Sequence, residues 1–370
     1  MNERIRVSLS VTLWCIVALA VLALAVYVLQ REMNRVEDES AKVRVGSIER
    51  GAAESVGMCG ERLAAIDNIV RFCIEQRAIT GAVVGIVHQD KLVYAEAFGS
   101  YIHEGEELPM TLDRRFAMSG IVEAVAVAPA VMQLVECGII SFEDELAMYL
   151  PALDRSSAGE SNKEWQGQNV RILDLLAHTS DFTNDFEPRT NSCYSPLNYM
   201  LLSDVVSRVS GADFGSYVKE HIFEPLSMTN TDCVKVEPCG GGQGLALNST
   251  VEDLAIYAAM LLNGGEWQGK EILSARGVDA MFTAPRGFEE WERALGWMLC
   301  RGYSTAAGDL LTTAAVACAD TSGASIVIDR EMDLAIILLA EEGCDCNLFD
   351  MTALRSRIAT IVASSMPKKR

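Results

Sequence analysis

The chain has 370 residues and a formal net charge of −20, because 51 acidic residues outnumber 31 basic ones. Half of the residues are hydrophobic and 22% are charged, a composition that excludes a fibrous or a disordered protein and is sufficient for one large buried core. The excess of negative charge argues against nucleic acid as a partner, because contact with phosphates needs a basic surface.

The first element is an uncharged run at residues 7–30, VSLSVTLWCIVALAVLALAVYVLQ. As a helix it is long enough to cross a hydrocarbon layer of about 30 Å, so we predict a short flank at 1–6 and a transmembrane helix at 7–30, with the membrane as a partner. A cleaved signal peptide is the alternative, since two arginines precede the run and Ala23-Leu24-Ala25 is a small-x-small pattern. The run is long, however, for an apolar signal core of about 7–15 residues. A buried core helix is a third interpretation.

Residues 31–58 are polar and charged and contain Gly, Ser and Ala, which predicts a stalk before a globular domain that begins at Cys59. The basic residues on either side of the span bear on its orientation in the membrane. Arg31, Arg35, Lys42 and Arg44 follow the span and only Arg4 and Arg6 precede it, so the positive-inside rule would place the domain in the cytoplasm.

The 11 cysteines are scattered and form no regular disulfide framework. The one tight pair, Cys344-Asp345-Cys346, is too close for an easy disulfide and lacks the C-x-x-C spacing of a zinc site, which favours a surface turn. We therefore expect no metal and no other cofactor.

The globular part begins with helical periodicity at Arg62–Arg77, and residues 81–100 then read as two strands joined by a turn at Gln89-Asp90-Lys91. Further helices are predicted at Ile121–Cys137, 170–180, 198–211 and Thr250–Leu262, the last with Ser249 or Thr250 as N-cap. Residues 323–342 again read as paired strands, followed by a closing helix at Met351–Ser365. The expected class is α+β, of the α/β sandwich type: an antiparallel sheet built from both ends of the chain, flanked by helices, with a helical subdomain inserted at about 116–285.

Several stretches resemble the beta-lactamase-related family, which includes class C beta-lactamases, D,D-peptidases and esterases. GAVVGIVHQDKLVYAEAFG is similar to its opening hairpin, VMQLVECGIISFEDELAMYLPAL to the stretch after its nucleophile helix, and VRILDLLAHTS to its leucine-rich helix before His-Thr-Ser-Gly. The agreement is best over GLALNSTVEDLAIYAAMLLNGGEWQGKEILSARGVDAM. These stretches occur in the family's order over most of 60–345, and the resemblance implies one domain at 59–366 with the fold of these serine hydrolases.

That family needs a serine and a lysine one helical turn apart, so that the lysine amine can take the proton of the attacking hydroxyl. The resemblance places the serine position at Gly120 or Ile121 and the lysine position at Glu123 or Ala124. No lysine occurs between Lys91 and Lys163, so no local shift of the alignment restores the pair.

Ser119 is the one hydroxyl close to the expected nucleophile, and Glu123 is its only local candidate base. A serine before a helix is more often a cap, which we favour here. Pro129 also departs from a catalytic helix, because it removes a backbone donor and tends to kink the segment.

The family's two other motifs are altered as well. Its Tyr-x-Asn reads Tyr194-Ser195-Pro196, which keeps the phenol and loses the amide, and its Lys-Thr-Gly or His-Thr-Gly aligns with Cys318-Ala319-Asp320. Asp320 should oppose an anionic substrate, and Cys318 reads as a buried, inert thiol rather than a nucleophile. His178 precedes Thr-Ser-Asp where the family has Thr-Ser-Gly, and we interpret it as a structural hydrogen-bonding residue.

The sequence therefore predicts a pseudoenzyme that lacks an intact catalytic residue set. It would be a single-pass protein of the cell membrane, with an extracytoplasmic domain by analogy with the family. The expected role is binding of a ligand or partner, such as a cell-wall peptide or an envelope protein. The alternative is an active hydrolase with a rearranged site, using Ser119 and Tyr194 with Glu123 or Cys318.

Overall fold

The computed structural model describes residues 47–151, 170–180, 189, 192–236, 244–287, 292–303, 305–343 and 351–367. The chain divides into two units, Met1–Ser47 and Ile48–Arg370. The predicted membrane span at 7–30 and the Cys344-Asp345-Cys346 turn lie outside the described residues. Among the residues that are described, no helix is both long enough and apolar enough for a membrane crossing.

The strands of the described part are β1 (Glu49–Arg50), β2 (Ile79–His88), β3 (Lys91–His103), β4 (Glu106–Pro109), β5 (Phe116–Met118), β6 (Asp232–Val236), β7 (Gly244–Ser249), β8 (Glu266–Trp267), β9 (Lys270–Glu271), β10 (Met298–Leu299), β11 (Val316–Ala319), β12 (Ser325–Asp329) and β13 (Leu334–Glu342). The α-helices are α1 (Gly60–Leu63), α2 (Ala65–Glu75), α3 (Ala128–Glu136), α4 (Leu146–Tyr149), α5 (Ile172–Leu176), α6 (Pro196–Ser210), α7 (Phe214–Val218), α8 (Val251–Leu262), α9 (Ala275–Met281) and α10 (Met351–Ser365). A 3-10 helix at Ala53–Val56 and π-helices at Glu123–Val127 and Lys219–Phe223 complete the set.

The large sheet joins both ends of the folded unit, as predicted. Within the described residues its strand order is β1-β3-β2-β13-β12-β11-β10, with β4 paired to β3. The expectation of a purely antiparallel sheet was wrong at one edge, because β1 runs parallel to β3 and the sheet is mixed. The remaining pairs, including β13 against β2, are antiparallel.

Two hydrophobic clusters cover the two faces of the sheet. Successive side chains of a strand point to opposite faces, so β2 contributes Val83 and Val87 to one cluster and Ala82, Val84 and Ile86 to the other. Helix α8 packs against β2 and β13, while α2 packs against β2 and β3, and α10 packs on α2. A strand buried on both faces explains the continuous apolar run of β2.

Two boundaries of the sequence analysis need correction. Residues 48–58, predicted as the end of a polar stalk, belong to the folded unit: β1 pairs with β3, and Ala53, Val56 and Met58 are buried in its core. The predicted helical subdomain at 116–285 also contains a sheet, β5-β7-β6. These strands have only three to six residues each and lie between longer segments with helical periodicity, so the sequence pattern did not predict them.

Candidate functional site

The helix that carries the family's nucleophile position begins with an unusually wide turn. The predicted helix Ile121–Cys137 is present, but it runs as a π-helix at Glu123–Val127 before α3. Pro129 has no N–H, so the carbonyl oxygens four and five residues before it lack their helical donors. Tyr257 of α8 supplies one of them, since its hydroxyl donates to Ala124 O at 2.6 Å. The start of this helix is thus held from outside by α8.

Gly120 lies directly against Asp320, the residue that follows strand β11. A Cβ atom added to Gly120 would lie 2.6 Å from Asp320 Cβ and 3.2 Å from Asp320 Cα. Asp320 is fixed in place, because its Oδ1 accepts hydrogen bonds from Ser322 Oγ at 2.7 Å and from Ala324 N at 3.1 Å. Its carbonyl oxygen accepts one from Arg355 of α10 at 2.7 Å. No side chain fits at position 120 while Asp320 keeps this position.

Of the two alignments left open by the sequence, the structure favours Gly120 with Glu123. Ile121 and Ala124 are fully buried in the core, whereas Gly120 and Glu123 line a cavity of about 60 Å³ together with Tyr194 and other cleft residues. Ligand pockets usually enclose roughly 300–1,000 Å³. The cavity that Gly120 and Glu123 line is therefore smaller than a usual ligand pocket.

Glu123 forms a buried pair with His178. The His178 Nε2 and Glu123 Oε2 atoms are 3.2 Å apart, and both side chains are almost completely buried. The other ring nitrogen, Nδ1, accepts a hydrogen bond from Ser195 N at 3.2 Å and lies 3.1 Å from Asn198 Nδ2. A backbone N–H can only donate, so we assign Nδ1 as unprotonated and Nε2–H as the donor to Glu123. Asn198 is oriented in turn by Ser180, whose hydroxyl donates to its Oδ1 at 2.7 Å.

Both nitrogens of His178 are thus occupied, which leaves neither free to accept a proton from a nucleophile. The ring packs between Tyr194 and Tyr199, with centroid distances of 4.9 and 5.1 Å. Half of Tyr194 is exposed, yet the pKa of its phenol is raised by partial burial and by the neighbouring Glu123 carboxylate. The phenol therefore stays protonated near neutral pH and is poorly suited to accept a proton.

The other predicted positions do not assemble a nucleophile with a base. Ser119 is exposed on the surface, and Pro196 is the first residue of α6, where it is also exposed. Cys318 is buried in β11, where its thiol donates to Gly120 O at 3.4 Å and burial raises its pKa. A thiol with a raised pKa is not a thiolate nucleophile near neutral pH. Ala319 lines the cleft without a functional group.

Arg293 was missed by the sequence analysis. It lies in a turn closed by its backbone bridge to Met298 and by Ala294 N donating to Trp297 O at 2.8 Å, and Trp297 anchors this turn in the core. The guanidinium group lies over the Tyr194 ring, 5.6 Å from its centroid. An isolated arginine in a loop carries no sequence signal that distinguishes it from a surface residue.

A second, larger cavity adjoins the small one. It has a volume of about 560 Å³, lies beside β10, β11 and the start of α10, and shares Arg293, Met298 and Ala319 with the small cavity.

Within the part of the chain that the structure describes, no group of three or more His, Cys, Asp or Glu side chains is placed to hold a metal ion.

Comparison with known proteins agrees with this architecture. Residues 66–342 match the Beta-lactamase family. A protein of Escherichia coli O157:H7, provisionally named a D-alanyl-D-alanine carboxypeptidase, is 22% identical, and the match covers 78% of this chain and 84% of that protein. An N-acetylmuramyl-L-alanine amidase of Bacillus subtilis (strain 168) is also 22% identical, over 66% of this chain and 72% of that protein.

The fold is shared with solved structures. The octameric penicillin-binding protein homologue from Pyrococcus abyssi superposes with a TM-score of 0.63 at 18% identity, covering 83% of this chain and 78% of that one. EstCE1, a hydrolase with promiscuous acyltransferase activity, gives the same TM-score at 16% identity, covering 82% of this chain and 99% of that one. Because the family match spans most of the folded unit, the resemblance inferred from the motifs is confirmed, and the chain belongs to the beta-lactamase family.

Proposed function

We propose that this chain is a catalytically inactive member of the beta-lactamase and penicillin-binding serine hydrolase family. Its folded unit would bind a ligand or a partner, such as a cell-wall peptide or an envelope protein, at the cell envelope. The observation that carries the proposal is the packing of Asp320 on Gly120, which leaves no room for a nucleophile at the serine position.

The electrostatics of the site support the same conclusion. The family's chemistry needs an amine that takes a proton from the serine, and here the matching position is Glu123, whose carboxylate is engaged by His178. A carboxylate has a much lower proton affinity than an amine. Even with a serine at position 120, the site as built would lack the group that activates it.

The alternative, a hydrolase with rearranged residues, gains no support from the geometry. Ser119 is exposed, and Glu123, its candidate base, is buried and already paired with His178. Cys318 is buried with its pKa raised, and its sulfur already donates to Gly120 O. Neither residue meets the requirement of a nucleophile within reach of an available base.

The membrane location is part of the proposal. The uncharged run at 7–30 would anchor the protein in the cell membrane, and the folded unit would lie outside the cytoplasm, as is usual for relatives that act on the cell wall. The basic residues after the span point to the opposite orientation, so the orientation needs its own measurement.

Covalent labelling tests the inactivity. The full chain in detergent would be incubated with a fluorescent penicillin and a fluorophosphonate, beside an intact penicillin-binding protein as the positive control. We expect the control to be labelled and this chain to remain unlabelled while circular dichroism shows it folded. A covalent adduct that disappears in Ser119→Ala or in Cys318→Ala would contradict the proposal and identify the nucleophile.

A further inference from the structure

The short segment before α6 forms part of the wall of the small cavity and is attached to His178. Tyr194 of this segment lines the cavity together with Glu123. On one side of Tyr194, Cys193 N donates to the carbonyl oxygen of His178 at 2.9 Å. On the other side, Ser195 N donates to the Nδ1 atom of the imidazole at 3.2 Å, and the Tyr194 ring itself lies 4.9 Å from the imidazole. A single histidine therefore holds this wall of the cavity in place.

The attachment requires that Nδ1 of His178 is unprotonated, because two donors point at it. They are Ser195 N and the Nδ2 atom of Asn198, which lies 3.1 Å away. The Asn198 amide can turn over, since its oxygen would then accept from Nδ1–H while its nitrogen donates to Ser180 Oγ, its present partner. A backbone N–H has no such alternative. When Nδ1 gains a proton, Ser195 N has to move away.

Glu123 makes this protonation attainable inside the protein. Its Oε2 atom lies 3.2 Å from Nε2 of His178, and both side chains are almost completely buried. A buried imidazolium without an opposite charge beside it would be strongly disfavoured. With Glu123 in contact, the added proton converts a neutral imidazole that faces a carboxylate into an ion pair, and the contact that is lost is the one to Ser195.

The titratable and charged groups around this pair come from the elements that pack on it: Asp174 from α5, Tyr194 and Tyr199 from before and within α6, Tyr257 from α8, Arg293 from its turn, and Cys318 and Asp320 from β11 and the residue after it. Burial raises the pKa of the three phenols and of the thiol, so these groups stay neutral. Arg293 keeps its charge at any of these pH values. The carboxylates are bound, Asp174 by Arg171 at 2.9 Å and Asp320 by Ser322 at 2.7 Å, and carboxyl groups ordinarily titrate below the range of histidine. The imidazole is thus the group here whose side-chain type changes charge between pH 8 and pH 5.

We propose that protonation of His178 releases the segment Cys193–Ser195 and opens the small cavity, so that mildly acidic pH controls access to it. The closed arrangement binds one proton fewer than the open one, and a lower pH therefore shifts the equilibrium towards the open one. His178 also has a positive φ of 56°, which a residue other than glycine keeps only when its surroundings hold it. The inference adds a regulation to the proposed binding role and rests on that role, but the conformational step is measured without a ligand.

Amide hydrogen exchange, read by mass spectrometry on the full chain in detergent, tests the release between pH 8 and pH 5. The rates are corrected for the intrinsic pH dependence of exchange, and a peptide from strand β2 is the internal reference. We expect the protection of the peptide with residues 193–195 to fall about tenfold towards pH 5, because its backbone donors lose their acceptors, while the β2 peptide stays protected. Constant protection of residues 193–195 over this range would overturn the inference.

Two substitutions identify the group that titrates. His178→Asn keeps an acceptor, tolerates the positive φ and cannot gain a proton, so we expect protection that no longer depends on pH. Glu123→Gln keeps an acceptor for Nε2 and removes the opposite charge, so release should shift to lower pH. His103→Asn, at an exposed histidine of β3, is the matched control and should respond like the unaltered protein. An unchanged response of His178→Asn, or no shift in Glu123→Gln, would overturn the role of the pair.

Thiol titration separates opening of the cavity from movement of the segment alone. Cys318 lines the small cavity and is buried in the closed arrangement. With dithiodipyridine as the reagent, we expect one more reactive thiol at pH 5 than at pH 8, and no such difference in Cys318→Ala. Equal numbers of reactive thiols at both pH values would show that the cavity stays closed and would overturn the control of access.

The outcome is distinguishable from that of the penicillin labelling. A covalent adduct would contradict the proposed inactivity and leave a pH response of residues 193–195 intact. Conversely, an unlabelled protein without this pH response would keep the proposed inactivity and lose the regulation.

Discussion

Gly120 and Asp320 depend on each other sterically. With Asp320 in place, even a methyl group at position 120 would meet its Cβ atom at 2.6 Å. The absence of a side chain at position 120 and the position of Asp320 are therefore mutually dependent. A serine at position 120 would strain the site in the same way, because its Cβ atom would occupy the same place.

This dependence predicts a coupling between the two positions. We expect Gly120→Ala to lower the free energy of unfolding by about 1–3 kcal/mol, the usual cost of overpacking, and by much less in an Asp320→Gly background. Urea denaturation of the single and double variants measures both values. Gly302→Ala is the control, because no atom lies within 4 Å of the added Cβ. An equal cost of Gly120→Ala in both backgrounds would show that Asp320 does not occlude this position.

The sequence analysis identified Glu123 as a site residue but not its role, which is to pair with His178. Glu123 was predicted as a candidate base because it lies one turn after Ser119, yet its hydrogen-bond partner is 55 residues away in sequence. His178 was correctly interpreted as a hydrogen-bonding residue. Only the fold shows that its two nitrogens join Glu123 to Ser195 and Asn198.

At the scale of elements, the sequence predicted those turns and helix ends whose structure depends on residues close together in the chain. Strand β2 ends at His88 and β3 begins at Lys91, and the two residues between them have positive φ values of 52° and 60°. That geometry fits a tight two-residue hairpin turn. Of the two predicted N-caps of α8, Ser249 and Thr250, the structure shows Thr250, which accepts a hydrogen bond from Asp253 N at 3.3 Å.

The π-helix at Glu123–Val127 could not be predicted in this way, because it depends on a residue far along the chain. Pro129 removes the helical donor, but the donor that replaces it comes from Tyr257, 133 residues from Ala124. The two-residue strand β1 was missed for a related reason. Two residues are too few to show an alternation of apolar and polar side chains, and the partner residues in β3 lie far along the chain.

The role of Tyr257 leads to a prediction for this element. We expect Tyr257→Phe to destabilise the protein by about 1–2 kcal/mol, because it leaves the buried Ala124 carbonyl without a donor. Thermal and urea unfolding measure the effect. Tyr101→Phe is the control, since the Tyr101 ring contacts Arg114 but its hydroxyl makes no hydrogen bond within the described residues. A Tyr257→Phe variant as stable as Tyr101→Phe would mean that another donor serves the carbonyl.

For the whole molecule, the family motifs predicted the fold and identified the altered positions at the cleft, because each motif has a defined order and spacing. They could not predict the larger cavity. Its lining comes from the loop at 292–303, the segment after it, strand β11 and helix α10, which meet only when the sheet is assembled. The larger cavity therefore has no contiguous signal in the sequence, unlike the catalytic positions.

The membrane anchor is the remaining prediction at this scale. We expect the full chain to stay in the membrane fraction after alkaline carbonate washing, and a variant lacking residues 1–46 to be soluble and folded, because the unit Ile48–Arg370 contains its own core. Intact mass spectrometry separates an anchor from a signal peptide, since a cleaved product would lack the run at 7–30. Release of the full-length protein by carbonate, or a mature chain that begins after residue 25, would contradict the anchor.

Orientation is decided by a C-terminal alkaline phosphatase fusion, which is active only outside the cytoplasm. We expect activity, as the proposed extracytoplasmic location requires, against the bias of the basic residues that follow the span. An inactive but stable fusion would place the unit in the cytoplasm. Cell-wall peptides and envelope proteins would then be excluded as partners.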